Sequence, residues 1–195
     1  MPGKIFVNYR RDDERAFAAR IRDRLAAAFG IPHVFMDVDN LLAGQRFDKE
    51  LEKALAETDV FIAVIGPRWL DLFKARTAAD ERDYVREEIA AALAKGITVI
   101  PVMIERAALP RAAELPDDIR EMVLHHKHDI GHEYFGRDVE GLVTAIRAGR
   151  KALQAATKPG TGMRSVSRIS WFGAAVVGVV GGSMGRSLFV ERQGV

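Results

Sequence analysis

The chain has no cysteine among its 195 residues, and it has no long uncharged run before its C-terminal part. Without thiols it forms no disulfide, has no thiolate nucleophile and builds no cysteine-based zinc site, which agrees with a reducing compartment. Residues 1–11 hold only a short apolar run before charged residues begin, too little for the apolar region of a secretory signal peptide. We therefore expect the folded part to lie in the cytoplasm.

An excess of one charge sign is also missing. The 29 basic and 27 acidic residues are mixed along the sequence and leave a formal net charge of +2. No continuous cationic face for a phosphate backbone is expected, so nucleic acid is not a predicted partner. The hydrophobic content of 48% is ordinary for a globular protein, and the length suits one core of about 150 residues plus additional sequence.

Five short apolar runs alternate with amphipathic stretches over residues 1–150, which we assign to one domain. This alternation predicts an α/β fold: a flavodoxin-like, doubly wound, five-stranded parallel sheet with strand order 2-1-3-4-5 and helices on both faces. The continuously apolar third run predicts the central strand, and Pro101 predicts an edge or a bulge in the fourth. The predicted strands are 4–9, 33–36, 60–65, 97–104 and 127–130, and the predicted helices are 17–29, 47–55, 84–95, 118–124 and 139–153.

Polar residues follow each of the first three predicted strands, at 9–13, 37–44 and 66–69. In an open α/β sheet, ligands bind outside the carboxyl ends of the strands, where the direction of winding switches. We therefore expect these segments, together with the helix start at 84–88, to converge on one binding surface. The segment 37–44 is long for a connection between a strand and a helix, which favours a functional loop.

Four segments carry a more specific pattern: FVNYRRD (6–12), VFMDVD (34–39), IGPRWL (65–70), and YVREEI (84–89) followed by IPV (100–102). In order and in spacing they resemble the successive boxes of bacterial Toll/interleukin receptor (TIR) domains. The resemblance covers about residues 3–150 and implies the same doubly wound fold.

The resemblance also implies an activity. Many TIR domains cleave NAD+, releasing nicotinamide and leaving ADP-ribose or a cyclic form, whereas others act only as self-associating adaptors. In the enzymes a glutamate within an aromatic-x-x-x-Glu pattern lies at the nicotinamide ribose. That position is Glu88 here, with Tyr84 where the family usually has tryptophan. A carboxylate there stabilises an oxocarbenium-like state; NAD+ is the substrate, and no cofactor or metal is implied.

A set of substrate-binding residues follows from the same resemblance. Arg10 or Arg11 would meet the pyrophosphate, and Phe35 or Trp69 would stack on a ring. The loop 37–44 resembles the family's BB loop and would open the pocket or dock a neighbouring copy. The complete predicted set is Tyr9, Arg10, Arg11, Phe35, Asp37, Gly44, Trp69 and Tyr84.

Simpler roles are open for several of these residues. Glu88 alone, early in a helix, would favour the helix dipole or pair with Arg82 or Arg86. Its neighbour Glu87 is interpreted as the solvated member of the two. Trp69 has the helical spacing of a packing residue.

Two other kinds of site match the sequence less well. Asp12 and Asp13 suggest the acidic pocket of a response-regulator receiver, but Gly66 and Pro67 stand where that site needs a phosphorylatable aspartate. Asp12 would equally suit a helix N-cap. The four histidines between positions 125 and 132 match no standard metal-ligand spacing, so a solvated loop and edge strand is the favoured interpretation.

After the predicted domain the composition changes twice. Residues 151–168 are predicted to be a basic linker, and residues 169–190 a transmembrane helix or an apolar tail helix. Ala174, Gly178 and Gly182 recur at intervals of four, which favours close approach of membrane helices. The basic residues ahead of this segment would place the TIR-like domain on the cytoplasmic side. The alternative is a flexible tail that packs on the domain or on a partner.

Two functions from different classes follow from these observations. The first is a TIR-type NAD+ glycohydrolase that is activated by self-association through TIR–TIR contacts and acts in signalling or defence. The second is a non-enzymatic adaptor or effector that binds other TIR domains through the loop 37–44. The presence of Glu88 and of the two arginines after the first strand favours the enzyme.

Overall fold

The computed structural model describes residues 3–36 and 47–157. The predicted loop residues Asp37 and Gly44 and the predicted membrane or tail helix 169–190 lie outside the described residues. Within the described part, no helix is long and apolar enough to cross a membrane.

The centre of the domain is one sheet of five parallel strands in the order β2-β1-β3-β4-β5. The predicted fold class and strand order are therefore confirmed. The third strand lies at the centre of the sheet and buries seven of its eight residues, as its continuous apolar run predicted. The strands are β1 (Lys4–Asn8), β2 (Val34–Met36), β3 (Thr58–Ile65), β4 (Thr98–Ile104) and β5 (His128–Ile130).

Helices cover both faces of this sheet. The α-helices in the described residues are α1 (Arg11–Phe29), α2 (Phe47–Ala56), α3 (Trp69–Ala78), α4 (Tyr84–Ala94), α5 (Asp117–Arg120) and α6 (Phe135–Thr157). The first helix buries the predicted stripe Phe17, Ile21 and Leu25. It ends at Gly30, whose φ of 96° is a conformation that glycine adopts without strain.

Alternate strand residues point to opposite faces, so the domain has two hydrophobic cores. Ile5 and Val7 of β1 belong to the core under α1 and α6. Phe6 belongs to the core under α2, α3 and α4, where it stacks on Phe61 with ring centroids 5.0 Å apart. Each such buried side chain contributes about 1.5–3 kcal/mol. The core that contains Phe6 positions the candidate site, because α3 and α4 pack on it.

The edge or bulge predicted at Pro101 is confirmed only as a local edge: the structure shows no bulge and β4 is an inner strand, but Pro101 lies where β4 has one neighbour. The fourth strand lies between β3 and β5, and its register with β3 runs without a shift through the pair Ala63 and Pro101. Its pairing with β5 begins only at Val102, opposite His128. Pro101 therefore pairs with β3 alone, because β5 is too short to reach it, and a missing N–H disturbs the ladder less there.

Basic residues late in the chain are used inside the fold. Arg150 donates hydrogen bonds to both carboxylate oxygens of Asp59, at 3.0 and 2.7 Å, and to the carbonyl of Gly3 at 2.8 Å. Arg147 donates to the carbonyl of Ala28 at 3.2 Å. These contacts hold α6 against α1 and against the amino ends of β1 and β3.

Candidate functional site

A cleft of about 320 Å³ lies at the carboxyl end of β1. Its walls come from the turn between β1 and α1, from α3, and from the first turns of α4. Five of the predicted site residues meet in it: Tyr9, Arg10, Arg11, Tyr84 and Glu88. Asp12 and Val85 also line the cleft and belong to the segments 9–13 and 84–88 that were expected to converge, whereas Leu72, Arg76 and Asp83 were not predicted.

Glu88 is held in the wall of this cleft by a residue of β1. Its side chain is only 3% exposed, and its Oε2 accepts a hydrogen bond of 2.6 Å from Nδ2 of Asn8. Asn8 is the last residue of β1 and is itself buried. A buried carboxylate is costly unless it is hydrogen-bonded, so this contact fixes where the carboxylate lies.

Arg82 and Arg86, the two arginines that the sequence offered as partners of Glu88, contact other carboxylates. Arg82 donates two hydrogen bonds to Glu87, at 2.8 and 2.7 Å, and these bonds raise the pKa of Arg82. Arg86 pairs with Asp118 at 3.0 Å. Glu87 is thus the outward-facing member of the two glutamates, as the sequence indicated.

Asn8 was not predicted as a site residue. Both groups near its Nδ2 are acceptors, the carboxylate of Glu88 and, at 3.5 Å, the carbonyl of Val85, and this sets the orientation of the amide. Its Oδ1 is left buried without a hydrogen-bond partner among the described residues. A buried oxygen without a partner lowers stability, so the placement of this amide has a cost that its bond to Glu88 offsets in part.

Arg10 forms a buried ion pair with Asp83. Its two Nη atoms lie 3.1 and 2.5 Å from the two carboxylate oxygens, and its guanidinium lies over the ring of Trp69 at 4.8 Å. Asp83 is also the N-cap of α4 and accepts from the backbone N–H of Arg86 at 3.2 Å. One carboxylate therefore joins the β1–α1 turn to the start of the helix that carries Glu88.

Two predicted ring-stacking residues lie outside the cleft. Trp69 has no exposed surface and stacks on Phe73 with ring centroids 5.8 Å apart. Phe35 meets Phe6 edge to face at 4.9 Å and borders a different hollow, of about 280 Å³, beside Lys4. The structure therefore gives both rings packing contacts, which is the simpler role that the sequence allowed for Trp69.

Tyr84 is the aromatic side chain that the cleft presents to solvent. It is 47% exposed, and the guanidinium of Arg82 lies 4.6 Å from its ring centroid. It stands four residues before Glu88, one helical turn away, so both side chains lie on the same side of α4. Tyr9, at the floor of the cleft, is buried.

The two aspartates after β1 do not form a receiver-like acidic pocket. Asp13 Oδ1 accepts from the backbone N–H of Arg68 at 3.0 Å, and a Cβ added at Gly66 would lie 2.4 Å from Asp13 Oδ2. This carboxylate therefore ties the β1–α1 turn to the β3–α3 turn, and a side chain at position 66 would displace it. Asp12 lies in the first turn of α1, and the N-cap position belongs to Arg10.

Two of the four histidines, His125 and His128, contact backbone carbonyls. His125 Nδ1 lies 2.7 Å from the carbonyl of Val99, and His128 Nε2 lies 2.6 Å from the carbonyl of Asp138. Each of these ring nitrogens donates, since a carbonyl only accepts. Within residues 3–36 and 47–157, no group of three potential ligands is placed to hold a metal ion.

The sequence model of the TIR domain matches residues 5–134, which is more than half of the chain. The chain belongs to the TIR domain family. Its relatives include a Drosophila melanogaster protein named NAD(+) hydrolase sarm1, with 30% identity over 159 residues, or 80% of this chain. This TIR chain spans only 11% of that relative's length.

A solved structure shows the same TIR fold. It is that of the activated Roq1 resistosome directly recognizing the pathogen effector XopQ, in its TIR domains. The TM-score is 0.55 at 15% sequence identity, covering 74% of this chain and 99% of that one. The agreement supports the five-stranded parallel sheet and its flanking helices.

Proposed function

We propose that this TIR domain cleaves the bond between nicotinamide and ribose in NAD+, with Glu88 as the catalytic carboxylate. The observation that supports this most is the placement of Glu88, buried in the cleft at the carboxyl end of β1 and hydrogen-bonded to Asn8 at 2.6 Å. Membership of the TIR family and the similarity to a protein named as an NAD(+) hydrolase support the same substrate.

The proposed reaction needs one well-placed carboxylate. The bond between the ribose C1′ and the nicotinamide nitrogen breaks, and its electron pair moves onto the nitrogen, which turns the pyridinium into neutral nicotinamide. Positive charge then develops on the ribose, and the carboxylate of Glu88 stabilises it. Water adds to C1′ and loses a proton to solvent or to Glu88, giving ADP-ribose; attack by a group of the same molecule gives a cyclic product instead.

The cleft supplies binding contacts on either side of that carboxylate. Tyr84 offers an exposed ring for stacking, and Arg11 lines the cleft at the start of α1. Arg10 has a different part in this proposal, because both of its Nη atoms are bound to Asp83. It holds the first turn of α4 in place. The position of Glu88, on the next turn of the same helix, depends on that turn.

Self-association through TIR–TIR contacts is proposed to activate the enzyme. One neighbour of matching fold comes from the TIR domains of an activated resistosome, and this supports the proposal. A TIR domain that works only as an adaptor is the alternative function, and it predicts association without chemistry. The two functions are separated by nicotinamide release.

The test uses the full chain, free in solution and clustered on beads, with NAD+ as substrate and nicotinamide release as the readout. Glu88→Gln keeps the size and the acceptor for Asn8 but removes the charge, and it is expected to abolish release. Glu87→Gln is the matched control, since Glu87 is the outward-facing neighbour paired with Arg82. Equal release by wild type and Glu88→Gln would refute the catalytic role; no release even when clustered would favour the adaptor.

A further inference from the structure

Three arginines line the cleft, and their guanidinium groups differ in what they already bind. Arg10 is buried and donates two hydrogen bonds to Asp83. Arg11 is exposed at the start of α1. Arg76 lies on α3, one turn after Leu72, and both of these α3 residues line the cleft. The sequence had directed attention only to the arginines after β1.

Arg76 has guanidinium donors that are available to a ligand. Its Nη atoms lie 3.7 Å from Asp12 Oδ2 and 3.7 Å from Glu81 Oε2, both beyond hydrogen-bond length. Its guanidinium makes no side-chain hydrogen bond within the described ranges, and its side chain is 39% exposed. Such exposed, long ion pairs hold a side chain weakly.

We propose that Arg76 binds the diphosphate of the dinucleotide substrate. The inference rests on the proposed function, since it concerns the same cleft and the same NAD+. A planar guanidinium with a free donor fork suits two phosphate oxygens, and these replace Asp12 and Glu81 as its partners. The α3 wall then holds the diphosphate, while the α4 wall holds the nicotinamide ribose at Glu88.

Steady-state kinetics of the full chain test this assignment. Arg76→Ala is expected to raise KM for NAD+ by about 10- to 100-fold, the range for losing charge-assisted hydrogen bonds, with kcat changed by less than about threefold. Arg76→Lys keeps the charge without the fork and is expected to fall between wild type and alanine. Cleavage of nicotinamide riboside, which lacks phosphate, is expected to change by less than about twofold.

Arg22→Ala is the matched control. Arg22 lies on α1 outside the cleft, is 40% exposed, and pairs only with its neighbour Asp23 at 3.1 Å in the described structure. It is expected to leave KM unchanged. An unchanged KM in Arg76→Ala, or an equal loss on NAD+ and on the riboside, would overturn the assignment.

A binding measurement keeps the assignment testable if the chain releases no nicotinamide and the proposed function fails. Calorimetry with ADP-ribose, which retains the diphosphate, is then the readout. Arg76→Ala is expected to weaken binding by about tenfold or more relative to Arg22→Ala, in line with a lost charged contact. Equal affinity in the two variants, or no binding of ADP-ribose by the wild type, would reject it.

Discussion

Replacing Asp83 by asparagine is expected to destabilise the domain by about 3–5 kcal/mol, because it leaves the buried charge of Arg10 without its counter-charge. Asparagine keeps the acceptor that caps α4, the Oδ1 that receives the N–H of Arg86 at 3.2 Å. The loss therefore reports the ion pair and not the cap. At the position of Oδ2, 2.5 Å from Arg10 Nη2, the new amide places a donor against a donor.

The expected loss of unfolding free energy is large for a domain of this kind. Typical domains unfold with about 5–15 kcal/mol, so the change removes about a third or more of the stability of many of them. The melting temperature is expected to fall by roughly 6 to 20 °C, taking about 2–4 °C per kcal/mol. Urea denaturation followed by circular dichroism measures the free energy, and a thermal melt provides the second value.

Two further variants make the measurement decisive. Asp118→Asn removes one carboxylate of the half-exposed pair with Arg86 and is expected to cost at most about 1 kcal/mol. Arg10→Met combined with Asp83→Asn removes the stranded charge and is expected to recover much of the loss. If Asp83→Asn proves no more harmful than Asp118→Asn, the Arg10 pair is effectively solvated and the reasoning fails.

Three more predictions follow from the site and its surroundings. Asn8→Ala removes the donor to Glu88 and is expected to lower kcat by about tenfold or more; unchanged turnover in a folded variant would contradict this. Trp69→Ala is expected to cost about 3–5 kcal/mol in urea denaturation, since the ring is buried in the core, and a cost below about 1 kcal/mol would contradict its packing role. The pKa of Glu114 is lowered from 4.5 to about 2, first by its hydrogen bond from Arg111. The stability that the ionised carboxylate contributes is therefore complete above pH 4.5 and is lost as the pH falls through about 2. The melting temperature of Glu114→Gln is therefore expected to lie below that of wild type at pH 6 and to converge with it near pH 2, whereas a constant difference would rule this out.

Local sequence pattern was enough for the sheet. Apolar runs and their helical spacers predicted five strands and their order, because each strand buries its own side chains and short connections restrict the topology. The edge predicted at Pro101 holds for that residue and not for the whole strand, and the cause is non-local: whether β4 has a second partner at Pro101 depends on how long β5 is. Nothing within 97–104 reports that length.

The site was predicted less completely than the fold. Glu88 was found through the family resemblance, but its partner Asn8 lies 80 positions away in the sequence and looks like the end of an apolar run. Arg10 was expected to face ligand, and its partner Asp83 is 73 positions away. Several acidic residues stood near several arginines in the sequence, and only the packed fold decides which of them meet.

The 80-residue separation between Asn8 and Glu88 also bears on when the candidate site is assembled during synthesis of the chain. A nascent chain that has formed only β1, β2 and β3 contains the amide of Asn8 at the end of β1. It does not yet contain the carboxylate of Glu88. The ion pair between Arg10 and Asp83 likewise forms only after the start of α4 has been synthesised. On the proposed function, a chain in which α4 has not docked on the sheet lacks the paired Asn8 and Glu88 and is expected to cleave no NAD+.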